Sequence, residues 1–178
     1  MPINRSVMGR LVAPTAAALL ATLVAAPTAS AAPARATASV CDPICVTGVR
    51  AATHTGYDRV VFDLGTGPLP TVTATQSTSG DFMTPFGEPR TIKTPGSSYL
   101  FVAFSPANIG DPLHSGPAVT PFGLPTVKAV QSLYEEQLDS PIDSPVASHL
   151  GITLDGPVSR YNVFTLTQPN RVVIDIYR

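Results

Sequence analysis

Three histidines, His54, His114 and His149, are the candidate proton-transfer groups of this sequence, and none sits in a recognisable catalytic pattern. His114 stands beside Ser115 and close to Asp111, which together supply the residue types of a hydrolytic triad. Such a triad is defined in space rather than by spacing, and neighbours in one loop rarely converge to its geometry, so a small secreted hydrolase is the least favoured reading. Glu135 and Glu136 are consecutive, so on an extended chain they point apart and cannot act on a glycosidic bond as a pair. They are expected to be solvated. No nucleophile elbow, zinc-protease helix, phosphate loop or calcium loop is present. No cofactor and no metal site are expected, since Cys41 and Cys45 have no histidine near them to complete a zinc set.

The remaining charged groups of interest come from a repeated pattern, Arg59-Val60-Val61-Phe62-Asp63-Leu64 and Arg171-Val172-Val173-Ile174-Asp175-Ile176. Successive side chains on a strand point to opposite faces. Val60, Phe62 and Leu64 therefore share one face, as do Val172, Ile174 and Ile176, and both triplets are expected in the core. Arg59, Asp63, Arg171 and Asp175 are expected on the other face, facing out. Equivalent positions on two strands would bring Asp63 near Asp175, with cross-strand ion pairs to Arg171 or Arg59 as the plainer use and recognition of a polar polymer as the functional one.

Aromatic groups are the other means of holding a sugar polymer, and there is no Trp. Tyr57, Phe82, Phe86, Phe122 and Tyr134 fall in or beside expected loops, where covering the sheet is the commoner use of Phe. Tyr57 ranks first, because Asp58 and Arg59 place hydrogen-bonding groups beside its ring. A groove lined by Tyr57, Arg59 and the Pro-rich segment 105–125 is the feature to look for.

These side chains need a scaffold, and the sequence describes one outside the cytoplasm. Arg5 and Arg10 precede an uncharged Ala- and Leu-rich stretch, Leu11 to Ala26, and Ala29-Ser30-Ala31 follows with small residues at both flanks. That is the pattern of a secretory signal cleaved after Ala31, leaving no membrane span. Residues 1–31 are read as signal peptide, 32–45 as a flexible spacer carrying the Cys pair, and 46–178 as the domain. In an exported protein Cys41 and Cys45 are expected to form a local disulfide, which closes too few residues to stabilise the fold much. Cleavage removes two of the eleven basic residues and none of the twelve acidic ones, leaving a net charge of −3. No Lys/Arg cluster remains to follow a phosphate backbone or an anionic lipid surface, so neither nucleic acid nor membrane is an expected partner.

Within the domain, β-branched alternation and turn signals predict strands from Val46 to Ala52, Asp58 to Leu64, Thr71 to Gln76, Thr91 to Lys93, Tyr99 to Phe104, Val127 to Tyr134, Leu150 to Leu154, Tyr161 to Leu166 and Arg171 onward. Gly56 is placed to take the positive φ of a hairpin turn. Gly80 to Gly87 and the segment 105–125 read as loops. The run Tyr99 to Phe104 is continuously apolar, which predicts a strand covered on both faces. About eight or nine strands and no substantial helix make this an all-β chain, a β-sandwich or a partly closed barrel-like sheet.

Thr47-Gly48-Val49-Arg50, Gly56 to Leu64 and the closing Phe164 to Ile176 together resemble the AMIN-like domains of exported actinobacterial proteins, and the resemblance spans Val46 to Arg178. AMIN domains are β-sandwich modules that target amidases and secretion components to peptidoglycan, and the Pro-x-Arg-Val-Val-Ile-Asp ending is similar to theirs. The resemblance implies a non-catalytic module of the cell envelope, associated with the wall, whose partner is peptidoglycan, another wall polymer or an envelope protein. In contrast to the amidases, no catalytic domain follows Arg178 in this sequence.

Overall fold

The computed structural model describes residues 41–110, 113, 118–137, 146–156 and 158–178. The segment read as a signal peptide, most of the expected spacer, and Asp111, His114 and Ser115 of the triad reading lie outside them.

Two five-stranded sheets enclose one core. The first runs in the order β11 (Arg160–Leu166), β12 (Arg171–Tyr177), β2 (Tyr57–Leu64), β1 (Cys45–His54), β7 (Asn108–Ile109). The second runs β3 (Thr71–Ser77), β6 (Ser98–Ser105), β10 (Val146–Leu154), β9 (Val127–Gln137), β8 (Val119–Pro121). A short hairpin, β4 (Asp81–Met83) and β5 (Pro89–Thr91), forms a third sheet of its own. The fold is all-β, and no described residue is helical.

The repeated motif forms the two adjacent strands β2 and β12. Val60, Phe62, Leu64, Val172, Ile174 and Ile176 are all buried, and they meet Leu100, Val102, Phe104, Leu150 and Ile152 from the facing sheet. The Phe62 and Phe104 rings cross edge-to-face at 5.1 Å, an arrangement that their quadrupoles favour. The turn between β1 and β2 has Gly56 at φ +86°, as the hairpin requires. β6 lies between β3 and β10. Leu100, Val102 and Phe104 face the core, while Phe101 and Ala103 are half-buried on the other side.

The described residues form twelve strands where about eight or nine were expected. β7 and β8 fall inside the expected loop 105–125, and β4 inside 80–87. Pieces of two or three residues are too short to show a period of two, and Pro121 sits on an outermost strand, where a missing amide proton costs no ladder bond. β5 ends at Thr91, so Ile92 and Lys93 follow it rather than lie within it. β10 begins at Val146, four residues before the expected start, which puts His149 inside a strand. The spacer reading fails at its end. Ile44 and Cys45 are fully buried, and Cys45 opens β1 while bonded to Cys41.

The two ends of the chain's strands are joined by one buried carboxylate. Asp58 has no exposed surface, and its Oδ2 accepts the amide protons of Thr126 at 2.7 Å and Val127 at 3.0 Å. Its Oδ1 lies 3.1 Å from Arg178 Nη2. Burial pushes the Asp58 carboxyl up, but hydrogen bonds from Thr53, Val127 and Thr126, with the Arg178 charge, outweigh it and hold the group below its ordinary value.

Candidate functional site

The outward face of the first sheet is a regular grid. Val49, Ala51, Tyr161 and Val163 pack inward with the motif triplets, so alternation sends their neighbours out. Antiparallel register then aligns four rows across β11, β12, β2 and β1. The first row is Arg160, Tyr177, Tyr57 and His54. The second is Asn162, Asp175, Arg59 and Ala52. The third is Phe164, Val173, Val61 and Arg50, and the fourth is Leu166, Arg171, Asp63 and Gly48.

The first row is a ladder of flat groups. The Arg160 guanidinium lies 4.4 Å from the Tyr177 ring centre, Tyr177 lies 5.3 Å from Tyr57, and Tyr57 stacks on His54 at 4.8 Å. Cation–π and ring–ring attraction hold each member against the next. In the second row Arg59 makes a two-pronged ion pair with Asp175, Nε to Oδ1 at 2.6 Å and Nη2 to Oδ2 at 2.8 Å. Its guanidinium lies 5.6 Å from both the Tyr57 and the Phe164 ring centres. The bonds to Asp175 raise the Arg59 pKa above its already high ordinary value, so the cation is permanent.

All five residues singled out as a binding set, Tyr57, Arg59, Asp63, Arg171 and Asp175, stand on this one face. The expected cross-strand ion pair forms between Asp175 and Arg59, but the pairing otherwise differs from the expectation in two respects. Antiparallel neighbours run in opposite directions, so Asp63 lies across from Arg171 and Asp175 across from Arg59, at opposite ends of the strands. The repeat does not bring the two aspartates together. Asp63 takes Arg50 instead, at 3.0 Å through both guanidinium contacts, and this pair also raises the Arg50 pKa. Nor does the whole face lie open. Asp175 is only 5% exposed, and Val61 and Val173 are buried. Arg59 lies against Asp175 from one side, and Phe164 faces Val173 across the β11–β12 pair. Among the described residues Arg160 and Arg171 form no ion pair, although Arg160 packs on the Tyr177 ring and Arg171 Nε donates to the Pro169 carbonyl at 3.4 Å.

A depression of about 380 Å³ beside Arg59 is lined by Arg50, Ala51, Ala52, His54, Arg59 and Val61. Among the described residues none of 105–125 lines it, nor does Tyr57. Of the other aromatic candidates, Phe122 is half-buried against the core and Phe86 is 92% exposed at the tip of the β4–β5 hairpin. Phe82 and Tyr134 lie together, 6.0 Å apart, on the outer side of the second sheet. Glu135 and Glu136 do diverge, but neither is merely solvated. Glu135 accepts the Ile109 amide proton, and Glu136 lies 3.4 Å from His149.

From the sequence His54 reads only as a candidate proton-transfer group, and Tyr177, Arg160, Phe164 and Arg50 are not named as site residues. Tyr177 was within reach, since it continues the alternation Arg171, Val173, Asp175 by one step. His54 and Tyr57 flank a two-residue turn and must pair across it. Arg160 and Phe164 required the β11–β12 register.

Fold and face together define an all-β module whose candidate site is an open sheet surface. The chain belongs to the AMIN-like domain family, whose model matches residues 44–178. Membership points to a module related to the cell wall or envelope. The family is typically extracytoplasmic, and the Cys41–Cys45 disulfide fits an exported protein. No curated protein and no solved structure matches the chain significantly. Among the described residues no helix is long and apolar enough to cross a membrane, and no cluster of His, Cys, Asp or Glu is arranged to hold a metal ion.

Proposed function

We propose that this is an exported, non-catalytic module that binds a wall polymer, peptidoglycan above others, through the outward face of the first sheet. The carrying observation is the row Arg160–Tyr177–Tyr57–His54, flat groups in mutual contact across four strands, with the Arg59–Asp175 pair one row below. The rings stack on one another, so they offer a polymer their edges and the tyrosine hydroxyls rather than their faces, and the guanidinium and carboxylate groups beside them offer hydrogen bonds to hydroxyl and amide groups. The surface is open rather than enclosed, which suits a polymer and gives weak, repeated contacts. A net charge of −3 without the signal supplies no general attraction to anionic polymers, so binding should depend little on salt.

Co-sedimentation with purified sacculi at low and high salt tests this. Retention under both conditions, with no release of soluble wall fragments, is the expected outcome. A protein-binding role has one observation in its favour, the exposed apolar tip of the β4–β5 hairpin at Met83 and Phe86. It replaces the first reading if nothing sediments while an envelope protein co-purifies.

A further inference from the structure

The outer side of the second sheet carries a second constellation, built by the β4–β5 hairpin. The hairpin is strapped down at its base. Ile92 N donates to Gly80 O at 3.0 Å, and Lys93 N donates to the Gln131 side-chain oxygen at 2.8 Å. Ile92 is buried over Gly151, where any Cβ would come within 2.5 Å of the Ile92 Cδ1 atom. The missing side chain at 151 is what lets the strap lie close. Two pockets open under it, one of about 280 Å³ and one of about 430 Å³, and both are lined by Phe82 and Leu133, which makes them neighbours.

Their chemistries differ. The smaller pocket is neutral and amphiphilic. Phe82, Phe101, Tyr134 and His149 give it aromatic walls, with His149 stacked on Tyr134 at 4.3 Å, and Thr73 and Thr75 line it with hydroxyl-bearing side chains. Burial lowers the His149 pKa against the opposing pull of Glu136, so at neutral pH the imidazole is uncharged and can both donate and accept. Its Nε2 is buried and, although 3.4 Å from Glu136 Oε2, lacks the alignment of a hydrogen bond. A pocket just under the usual range of about 300–1,000 Å³ holds one ring rather than a chain. The larger pocket is cationic. Arg90 is bound to Glu88 at 2.6 Å, whereas Lys93 has no carboxylate within ion-pair distance among the described residues, and Thr84 and Ser132 stand by with hydroxyls. One open ammonium suits one carboxylate; a phosphate chain would call for several cations.

We propose that this face binds a sugar acid, its ring against Phe82 and the Tyr134–His149 pair and its carboxylate toward Lys93. The site shares no residue with the first-sheet face, so each stands or falls without the other. The test titrates N-acetylmuramic acid, glucuronic acid and N-acetylglucosamine into the ¹⁵N-labelled protein, followed by amide shifts, with Lys93→Gln and Phe82→Leu variants alongside. Expected are shifts at Phe82, Lys93, Tyr134 and His149, affinity for an acid at least five-fold above that for N-acetylglucosamine, and loss of that margin in Lys93→Gln with the rest of the spectrum unchanged. Phe82→Leu should weaken acid and neutral sugar alike. Response to N-acetylmuramic acid alone assigns the site to muramic residues whose lactyl carboxylate carries no peptide, and response to both acids assigns it to sugar acids at large; either supports the proposal. Equal affinity for acid and neutral sugars, a margin that survives Lys93→Gln, or no shifts at these amides overturns it.

Discussion

Replacing Asp58 with Ala should be among the most damaging single changes in the domain. The side chain has no exposed surface, and truncation leaves two amide protons, Thr126 and Val127, without an acceptor in the interior. An orphaned buried donor costs about 1–3 kcal/mol, so the pair accounts for about 2–6 kcal/mol. Arg178 also loses its partner, but its side chain is 36% exposed and water takes over much of the lost contact, adding no more than the about 1 kcal/mol of a surface pair. Urea denaturation measures the loss as a fall in midpoint at constant slope. A loss below about 1 kcal/mol would refute the reasoning, because water or a neighbouring oxygen would then be satisfying both amides. The same group predicts an acid limb. Its folded pKa is depressed, so its contribution is complete above the unfolded value of about 3.9 and is lost as pH falls through the lower folded value. Asp58→Asn keeps an acceptor oxygen but cannot titrate, and should flatten stability against pH below about 4.

Further outcomes follow from the same contacts. Phe62→Ala or Ile174→Ala should cost about 2–5 kcal/mol in the same denaturation experiment, since both side chains lie wholly inside the core; a cost near the about 0.5 kcal/mol of surface changes would invalidate the face assignment. Reducing the Cys41–Cys45 bond should lower stability by no more than about 2 kcal/mol, because its loop is so short, and a larger drop in thermal melts under reductant would give the bond a packing role through buried Cys45. Asp175→Asn should cost more than Asp63→Asn, because Asp175 is nearly closed to water and its Arg59 partner is held between two rings, whereas the Arg50–Asp63 pair is open to solvent. Equal costs, read by chemical denaturation, would mean that Asp175 is hydrated.

The motif strands were legible because each places three large apolar groups at a period of two with an Arg and an Asp on the other face, and Val60, Phe62, Val172 and Ile174 lie where that period puts them. The common face of Tyr57, Arg59, Asp63, Arg171 and Asp175 follows from the same period. Partner choice does not. Whether Arg59 meets Asp63 or Asp175 depends on strand direction and register, and two copies of one motif give no sign that they run antiparallel. Asp58 stayed hidden for a related reason. In the sequence it reads as the first residue of a strand and a hydrogen-bonding group beside Tyr57, and its partners Thr126, Val127 and Arg178 lie between 68 and 120 positions away. The strap over the second sheet depends on Gly151, whose importance is the absence of a side chain under Ile92 and leaves no pattern in the chain.

The central claim is that the aromatic row of the first sheet holds wall polymer, and the most direct measurement compares sacculus co-sedimentation of the natural protein with that of a Tyr57→Ala, Tyr177→Ala double variant of unchanged circular dichroism. Both side chains are half-exposed at the end of their strands, so the fold should survive their loss. The account predicts that the natural protein sediments to a similar extent at low and high salt and that the double variant stays at least five-fold more in the supernatant. Equal sedimentation of the two proteins would contradict it, as would binding by the natural protein that disappears at high salt.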